Sequence, residues 1–380
     1  MMNTTTDYQL EKPRKKSRKK ILILSIFVLF VTSVLGLMFY KTSNVFTIAG
    51  NSEDVGTYDD FELKKEKDRL DILVLGIRGA GDANGGLLAD TMVLISFDKA
   101  KQKTAMISLP RDLYIEMPDH NVPEKINFAY ALGEERRRGG GGLALSKEVV
   151  RYATGVYVDH AIVVNFDGFK EIVDIMGGVE IYRDTPFYEA QQWQGEGKPN
   201  SKYWYLAEGE VPGSQTEGDT ADEEDGENTN FSSEQDVLPD KYWVFNVPKG
   251  YSVLNSEDAL YYARSRYSSS DFDRMRRQQQ IVSSLKSKAL SLGVLANPIK
   301  IFDILDSLGR NVRTDMGLGD LREVITLAQD YAQVPVQSVL LEPAENGLIE
   351  PANINGAYVL LPRARDFSEI RTFFQNIFED

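Results

Sequence analysis

Seven residues, DILVLGI at positions 71–77, decide the fold class of this 380-residue chain, because they form a short apolar run rich in branched side chains. Three runs of the same kind follow: TMVLISF (91–97), TAMISL (104–109) and HAIVVNF (160–166). Such runs are typical of strands that are buried on both faces. Helical patterns lie between and after them, at Leu145–Thr154, Asp167–Met176, Ser256–Arg264 and Met275–Leu292. Strands that alternate with helices predict an α/β fold, which we expect to be a three-layer α-β-α sandwich with a central mixed sheet.

Residues 293–380 form a C-terminal extension with elements of both kinds. Its helical patterns are Ile299–Leu308, Leu318–Tyr331 and Phe367–Phe378, and its strand-like runs are VQSVLL (336–341) and AYVLLP (357–362). We expect this extension to complete the domain at residues 70–292 or to pack beside it.

An uncharged apolar segment precedes the domain at residues 21–40. At about 1.5 Å per residue it is long enough to cross the ~30 Å hydrocarbon core of a bilayer once. Basic residues crowd the stretch before it: Lys12, Arg14, Lys15, Lys16, Arg18, Lys19 and Lys20. Because basic flanks stay in the cytoplasm, we predict a cytoplasmic tail at 1–20, one transmembrane helix at 21–40 and an extracytoplasmic stalk at 41–69. The protein is then a single-pass protein of the cell membrane with its folded domain outside.

A cleaved signal peptide is the main alternative for residues 21–40. Its apolar region is usually only about 7–15 residues long, and no A-x-A-like cleavage site follows this one. A buried core helix is a third interpretation, but the segment is apolar on all sides rather than along one stripe. The anchor is therefore favoured, and export is expected for both of the first two interpretations.

The acidity of the chain is concentrated in one segment. The formal net charge is −14, and residues 187–240 contain fourteen acids and two lysines. Few aliphatic residues occur there, so we predict a disordered acidic insertion at about 190–238. Calcium binding by residues 222–225 is an alternative, although that run lacks the spaced ligands and the glycine of a calcium loop. The chain has no cysteine, which excludes disulfides and thiolate ligands.

The sequence lacks the common catalytic motifs. It has two histidines, His120 and His160, and no Gly-x-Ser-x-Gly, His-Glu-x-x-His or Walker A run. These absences argue against the usual serine hydrolases, zinc proteases and P-loop enzymes. Three arginines before Gly139–Gly142 predict a flexible basic surface turn, with contact to an anion as the alternative.

Arginine beside aspartate is the feature that stands out instead. Asp90 begins one apolar run, Arg111 and Asp112 follow another, and the densest cluster spans residues 262–280. Guanidinium groups bind phosphate oxygens bidentately, and carboxylates among them can hold a divalent cation that bridges phosphates. The alternative is that these arginines only offset a helix dipole and pair with nearby acids. The number of clusters favours an anion site.

The spacing of Arg264 and Arg266 adds a geometric condition. Residues two apart in a helix point to different sides, so these two can share a ligand only if the helix ends near Arg264. In the next predicted helix Arg274 and Gln278 lie four apart, on one face.

Six ordered blocks of this sequence resemble the LytR-CpsA-Psr family of cell-envelope phosphotransferases. They are DILVLGI, ADTMVLISF, SLPRDLYIEMP, EKINFAYALG, VVNFDGFKEIVDIMGGVEI and ALYYARSRY with DFDRMRRQQQ, between about residues 71 and 290. The resemblance implies transfer of a glycopolymer from a polyprenyl-pyrophosphate lipid to peptidoglycan as a phosphodiester. Membrane, lipid-linked donor and peptidoglycan are then the expected partners, and no nucleic acid is expected.

The resemblance also implies roles for individual residues. Asp90 would bind Mg²⁺, or Mn²⁺ as an alternative ion, and Asp271 would be a candidate general base. The pyrophosphate would be bound by Arg111, Arg264 and Arg266, with Lys125, Arg274 and Gln278 close to it. A tunnel for the lipid tail would lie between the sheet and the helices predicted at Asp167–Met176 and Met275–Leu292, unless those faces are ordinary core.

Two positions depart from the family pattern. Where a second metal-binding aspartate is usual, this chain has Arg78, and a cation cannot ligate a cation. We expect Arg78 to bind phosphate in its place, or Asp82 to reach in from the glycine-rich loop. Asp273 stands where glycine is usual.

Two other functions use the same residues. A pyrophosphatase would release the polymer into solution instead of transferring it. A non-enzymatic wall-binding or regulatory protein would not need the arginines for its function.

Overall fold

The computed structural model describes residues 55–58, 63, 65–80, 82, 86–120, 122–190, 199–207, 242–266, 269–291, 309, 311–331 and 333–379. The predicted tail and transmembrane segment, most of the predicted insertion and the helical pattern Ile299–Leu308 lie outside these ranges. Within them, no helix combines the length and the apolar character that a membrane crossing needs.

The described residues form fifteen strands: β1 Arg69–Ile77, β2 Ala89–Asp98, β3 Lys103–Ser108, β4 Tyr114–Ile115, β5 Glu124–Lys125, β6 His160–Val164, β7 Val179–Arg183, β8 Phe187–Ala190, β9 Trp204–Ala207, β10 Tyr242–Val247, β11 Gly250–Leu254, β12 Val312–Thr314, β13 Val336–Leu340, β14 Ile349–Ile354 and β15 Ala357–Pro362. They also form seven α-helices: α1 Ala129–Arg136, α2 Gly141–Thr154, α3 Phe166–Ile175, α4 Ser256–Arg264, α5 Asp271–Ser291, α6 Leu318–Asp330 and α7 Ser368–Gln375. A short 3₁₀ helix, Ile126–Phe128, precedes α1.

Six strands form the central sheet, in the order β12-β6-β1-β2-β3-β13. Strand β1 pairs in parallel with β6 and antiparallel with β2, and β3 pairs in parallel with β13. The predicted α/β fold with a central mixed sheet is therefore confirmed.

Strand β1 is buried on both faces, as its sequence predicts. Leu70 and Ile72 pack with Leu327 of α6 on one face of the sheet. Leu73 and Leu75, which point the other way because side chains alternate along a strand, pack with α2 and α7 on the opposite face. Helices thus cover both faces of the sheet, which is the three-layer arrangement.

The C-terminal residues supply both edges of this sheet. Strand β12 pairs with β6 at one edge, and β13 pairs with β3 at the other. Helix α7 buries Ile370 and Phe374 in the same core as β1. The strands and helices predicted within the described part of this region are confirmed, with small differences at their ends.

A second, smaller core lies beside the sheet. The sheet β8-β10-β9 and the two-stranded sheet β7-β11 enclose it together with α3, α4 and α5. Phe245 and Tyr262 are fully buried in it, and Val173 of α3 and Ile281 of α5 belong to the same cluster. The helix faces that we expected to flank a lipid tail therefore both contribute side chains to this core in the structure.

Part of the predicted disordered insertion is ordered, so that prediction was wrong for residues 199–207. Strand β9 pairs with β10, and Trp204 is only 5% exposed. Asp258 accepts hydrogen bonds from Trp204 Nε1 at 3.0 Å and from Ser201 Oγ at 2.5 Å. Few aliphatic residues occur here, but Tyr203 and Trp204 bury enough apolar surface to order the segment.

Two other predictions of irregular structure also need correction. The stalk predicted at 41–69 is too long, because Val55 is buried in the main core and the ring of Tyr58 stacks on Tyr152 at 3.8 Å between centroids. The flexible turn predicted at Gly139–Gly142 is partly helical, since α2 begins at Gly141. A Cβ atom on Gly141 would lie 2.1 Å from the carbonyl oxygen of Gly133, so glycine allows α1 and α2 to approach closely.

We expect Trp204→Ala to lower the free energy of unfolding by about 3–5 kcal/mol, because it empties a packed aromatic site. The matched control is Leu206→Ala in the same strand, which is 47% exposed and should cost less than about 0.5 kcal/mol. Urea unfolding followed by circular dichroism measures both. Equal losses would contradict the assignment of β9 to the folded domain.

Candidate active site

Four segments of the central sheet deliver side chains to one edge. Strands β1, β3 and β6 run in one direction and β2 runs in the other. Arg78 follows the end of β1, Arg111 follows β3, Phe166 follows β6, and Asp90 lies at the start of β2. All four positions therefore meet beyond the carboxyl ends of the parallel strands, which we call the sheet edge from here on. An α/β sheet usually binds its ligands at this end.

Asp90 is at the centre of this group. Its Oδ1 accepts a hydrogen bond from Arg111 Nη1 at 2.9 Å, and its Oδ2 lies 3.5 Å from Arg78 Nε. Its backbone carbonyl accepts a hydrogen bond from Arg274 Nη2 at 3.3 Å. Burial would raise the pKa of Asp90, but Arg111, with Arg274 and Arg78, lowers it below its ordinary value. Asp90 is thus a carboxylate at neutral pH.

The backbone around Arg78 is specified by glycines. Gly76 faces Thr91 across the β1–β2 pair, where a Cβ atom would lie 2.9 Å from the threonine Cβ, and the register shifts between Gly76 and Ile77. Gly79 has a φ of 131° and donates a hydrogen bond to the Gly86 carbonyl at 2.9 Å, which closes the loop after β1. A bulge of this kind redirects the side chains beside it.

The junction between α4 and α5 delivers the other arginines. Helix α4 ends at Arg264, as its spacing with Arg266 required, and the Arg264 guanidinium lies 4.5 Å from the centre of the Phe166 ring. Asp271 begins α5, and its Oδ1 lies 2.8 Å from Arg274 Nη2 and 3.7 Å from Arg266 Nε. The same oxygen is 3.8 Å from Arg111 Nε, which connects this junction to the sheet edge.

The site therefore combines five arginines with two aspartates: Arg78, Arg111, Arg264, Arg266 and Arg274 with Asp90 and Asp271. Burial lowers the pKa of Arg274 to about 10, and Arg111 and Arg266 are among the neighbours that lower it. Burial also lowers the pKa of Arg264, and Arg78 adds to the effect. Both shifts mean that positive charge is crowded here and would be relieved by an anionic ligand.

The side chain of Arg274 gives a second indication of an anionic ligand. It is buried, and its Nε has no hydrogen-bond acceptor in the described structure. Burying a charged donor without an acceptor is costly, so such atoms usually mark a place for a ligand or a functional group.

The structure does not bring two predicted ligands directly into this group. Lys125 Nζ lies 2.8 Å from Asp112 Oδ1, and Asp112 in turn lies 3.4 Å from Arg111 Nε. Gln278 Nε2 donates a hydrogen bond to the Ala263 carbonyl at 3.1 Å. In this structure Lys125 binds Asp112 and Gln278 binds a backbone carbonyl at the end of α4. Their roles as phosphate ligands stay predictions.

Arg277 is a functional residue that sequence reasoning missed. It is 3% exposed and donates hydrogen bonds to the carbonyls of Tyr262 and Ser265 and to Ser269 Oγ. These bonds hold both sides of the turn that presents Arg264 and Arg266. Arg274 and Arg276 lie close to it in sequence, so only its position on the inner face of α5 distinguishes it.

The residues present do not fit the expected metal ion well. Both oxygens of Asp90 pair with arginines, and Asp271 is also surrounded by guanidinium groups. Across the described ranges, no cluster of three His, Asp or Glu side chains has the geometry of a metal site. Mg²⁺ or Mn²⁺ on Asp90 stays a prediction.

Comparison with known families agrees with these features. The model of the LytR_cpsA_psr family matches residues 36–373, which is most of the chain. The chain belongs to this family. The resemblance inferred from the six sequence blocks is thus confirmed, and the matched range includes both the sheet edge and the C-terminal strands.

Two relatives of this family member cover most of its length. It is 27% identical over 315 residues to the polyisoprenyl-teichoic acid–peptidoglycan teichoic acid transferase TagU of Oceanobacillus iheyensis, covering 82% of this chain and 77% of the relative. It is 23% identical over 384 residues to TagT of Bacillus subtilis, a transferase of the same name, covering 97% of each chain.

Solved structures in the family share the fold. A crystal structure of B. subtilis TagV gives a TM-score of 0.53 at 23% identity, covering 82% of this chain and 97% of that one. A structure described as TagT bound to LIIa-WTA gives 0.53 at 20% identity, covering 84% and 95%.

We expect Arg264→Ala to weaken the binding of inorganic pyrophosphate by about 10- to 100-fold, as the loss of charge-assisted hydrogen bonds would. The control is Arg276→Ala on the outer side of α5, where the side chain pairs with Asp273 and Glu342. Isothermal titration calorimetry measures both affinities. A loss of the same size in the control would place the anion site elsewhere.

Proposed function

We propose that this protein transfers a glycopolymer from a polyprenyl-pyrophosphate lipid to peptidoglycan and leaves it attached through a phosphodiester. The observation that carries the proposal is the convergence of five arginines and two aspartates at the sheet edge. The names of the relatives TagU and TagT support peptidoglycan as the acceptor and a teichoic acid as the class of polymer.

The reaction is a phosphoryl transfer in which positioning and charge stabilisation matter most. A hydroxyl of the acceptor attacks the phosphorus that bears the glycan, and a new P–O bond forms while the hydroxyl proton passes to a base, for which Asp271 is the candidate. The bond from that phosphorus to the bridging oxygen breaks, polyprenyl phosphate leaves, and its negative charge grows on the leaving oxygen. Guanidinium groups fixed before the reaction stabilise that charge without reorganisation.

The arginines lie at different depths in the site, and we assign them to different phosphate oxygens. Arg111 is held by Asp90 and Asp112 and lies inside the site, where carboxylates outweigh burial and raise its pKa. The side chain of Arg266 is more exposed than that of Arg111, at 42% against 10%. Arg264 lies against Phe166. We assign Arg111 and Arg274 to the inner phosphate oxygens, and Arg264 and Arg266 to the outer ones.

Residues 21–40 would hold this site at the membrane that contains the lipid donor. The proposal places the N-terminus in the cytoplasm and the folded domain outside. Because Val55 already packs in the main core, about 14 residues at most separate the proposed anchor from the folded domain, and such a length could span roughly 50 Å at most. That reach keeps the domain close to the outer leaflet.

A transfer assay tests the proposal. With a radiolabelled lipid-pyrophosphate-glycan and peptidoglycan, we expect label on the peptidoglycan from the full chain. We expect at least about a hundredfold slower transfer from Arg111→Ala, as for loss of a preorganised charge. Label that appears only in solution would favour a pyrophosphatase, and unchanged function in folded Arg264→Ala and Arg266→Ala variants would favour a non-enzymatic protein.

The role of Asp271 can be separated into two components. It contacts three arginines, so it positions them as well as being a candidate general base. We expect Asp271→Asn to keep pyrophosphate affinity within about threefold while transfer falls by about 100-fold or more, since general bases contribute about 10²–10⁴. Calorimetry and the transfer assay measure the two effects. If binding and transfer fall together, Asp271 is only a positioning residue.

A further inference from the structure

Arg78 lies close enough to Asp90 to pair with its carboxylate. Its Nε lies 3.5 Å from Asp90 Oδ2, while Arg111 holds Oδ1 at 2.9 Å. An ion that used Asp90 as a ligand would have to share one of these oxygens with a guanidinium group or displace that group. Asp90 is therefore engaged before any ligand arrives.

The surrounding charge also disfavours a divalent cation. Burial lowers the pKa of Arg264, and the positive charge of Arg78 lowers it further. A divalent ion placed beside Asp90 would add two positive charges to five arginines. Like charges at such short separations repel strongly in a partly buried site.

A guanidinium group can supply the contacts to phosphate that a bridging ion supplies. It is planar, it stays charged, and its parallel N–H groups match two phosphate oxygens. Arg78 is 30% exposed on its side chain, and the loop closed by Gly79 and Gly86 holds its backbone. It can therefore turn from Asp90 to a phosphate with little change in the fold.

We propose that this protein binds the pyrophosphate of its lipid donor without a divalent cation, through Arg78 and Arg111. Asp90 acts as an internal counter-ion that keeps these two guanidinium groups in place until the phosphates replace it. The identity of the ligand rests on the proposed function, whereas the independence from metal rests on the pairing of Asp90.

The probe is geranyl pyrophosphate, a soluble lipid pyrophosphate, titrated into the full chain in a nonionic detergent. We expect its affinity in EDTA to lie within about threefold of its affinity in Mg²⁺, a difference below 1 kcal/mol. An affinity at least about tenfold lower in EDTA would overturn the proposal but leave the proposed function standing. No binding in either buffer would count against both.

Arg78→Asp provides the converse test, because it places a second carboxylate beside Asp90. We expect binding in EDTA to fall by about 10- to 100-fold and to recover with Mg²⁺. Electron paramagnetic resonance should detect Mn²⁺ bound to the variant and not to the unchanged protein. The control, Arg322→Asp, changes the charge equally on an exposed position of α6 and should leave both measurements unchanged.

A second variant separates the loss of the guanidinium group from the gain of a carboxylate. Arg78→Ala removes the guanidinium group without adding a carboxylate, so binding should fall in EDTA and should not recover with Mg²⁺. Full affinity of Arg78→Ala in EDTA would overturn the proposal. Binding of Mn²⁺ to Asp90 in the wild-type protein would overturn it as well.

Discussion

Guanidinium groups repel one another, and this site exists because two carboxylates hold four of them together, while the fifth, Arg264, lies against Phe166. Asp90 connects Arg78 to Arg111, and Asp271 connects Arg111 to Arg266 and Arg274. Arg111 belongs to both groups and joins the sheet edge to the start of α5. Removing either carboxylate would leave buried like charges facing each other, which is far more costly than losing an exposed ion pair.

The rest of the fold can be understood as support for this arrangement. The main core fixes the strand ends that carry Arg78, Asp90 and Arg111, while the smaller core fixes α4 and α5. Arg277 of α5 donates hydrogen bonds to the carbonyls of Tyr262 and Ser265 at the end of α4 and to Ser269 Oγ just before α5. A site with positioned charges needs this rigidity, because its catalytic advantage comes from dipoles and charges that do not have to reorganise.

Sequence reasoning failed where it judged order from aliphatic content or from glycine alone. Residues 199–207 contain few aliphatic side chains, yet Trp204 and Tyr203 fill the smaller core. Gly141 belongs to a helix because it allows close contact with Gly133, a role that no local pattern distinguishes from a flexible turn. Val55 lies in a polar stretch, and its burial depends on a partner surface distant in the chain.

The sequence by itself determined the fold class, the family and the five arginines, because strand runs, helical periodicity and motif blocks are local properties. The end of α4 at Arg264 also followed from sequence, since two arginines two residues apart can share a ligand only beyond a helix end. The tertiary structure decided the partners of Asp90 and the separate roles of Lys125, Gln278 and Arg277. Those depend on distances between residues far apart in the chain, and only the folded sheet and helices set these distances.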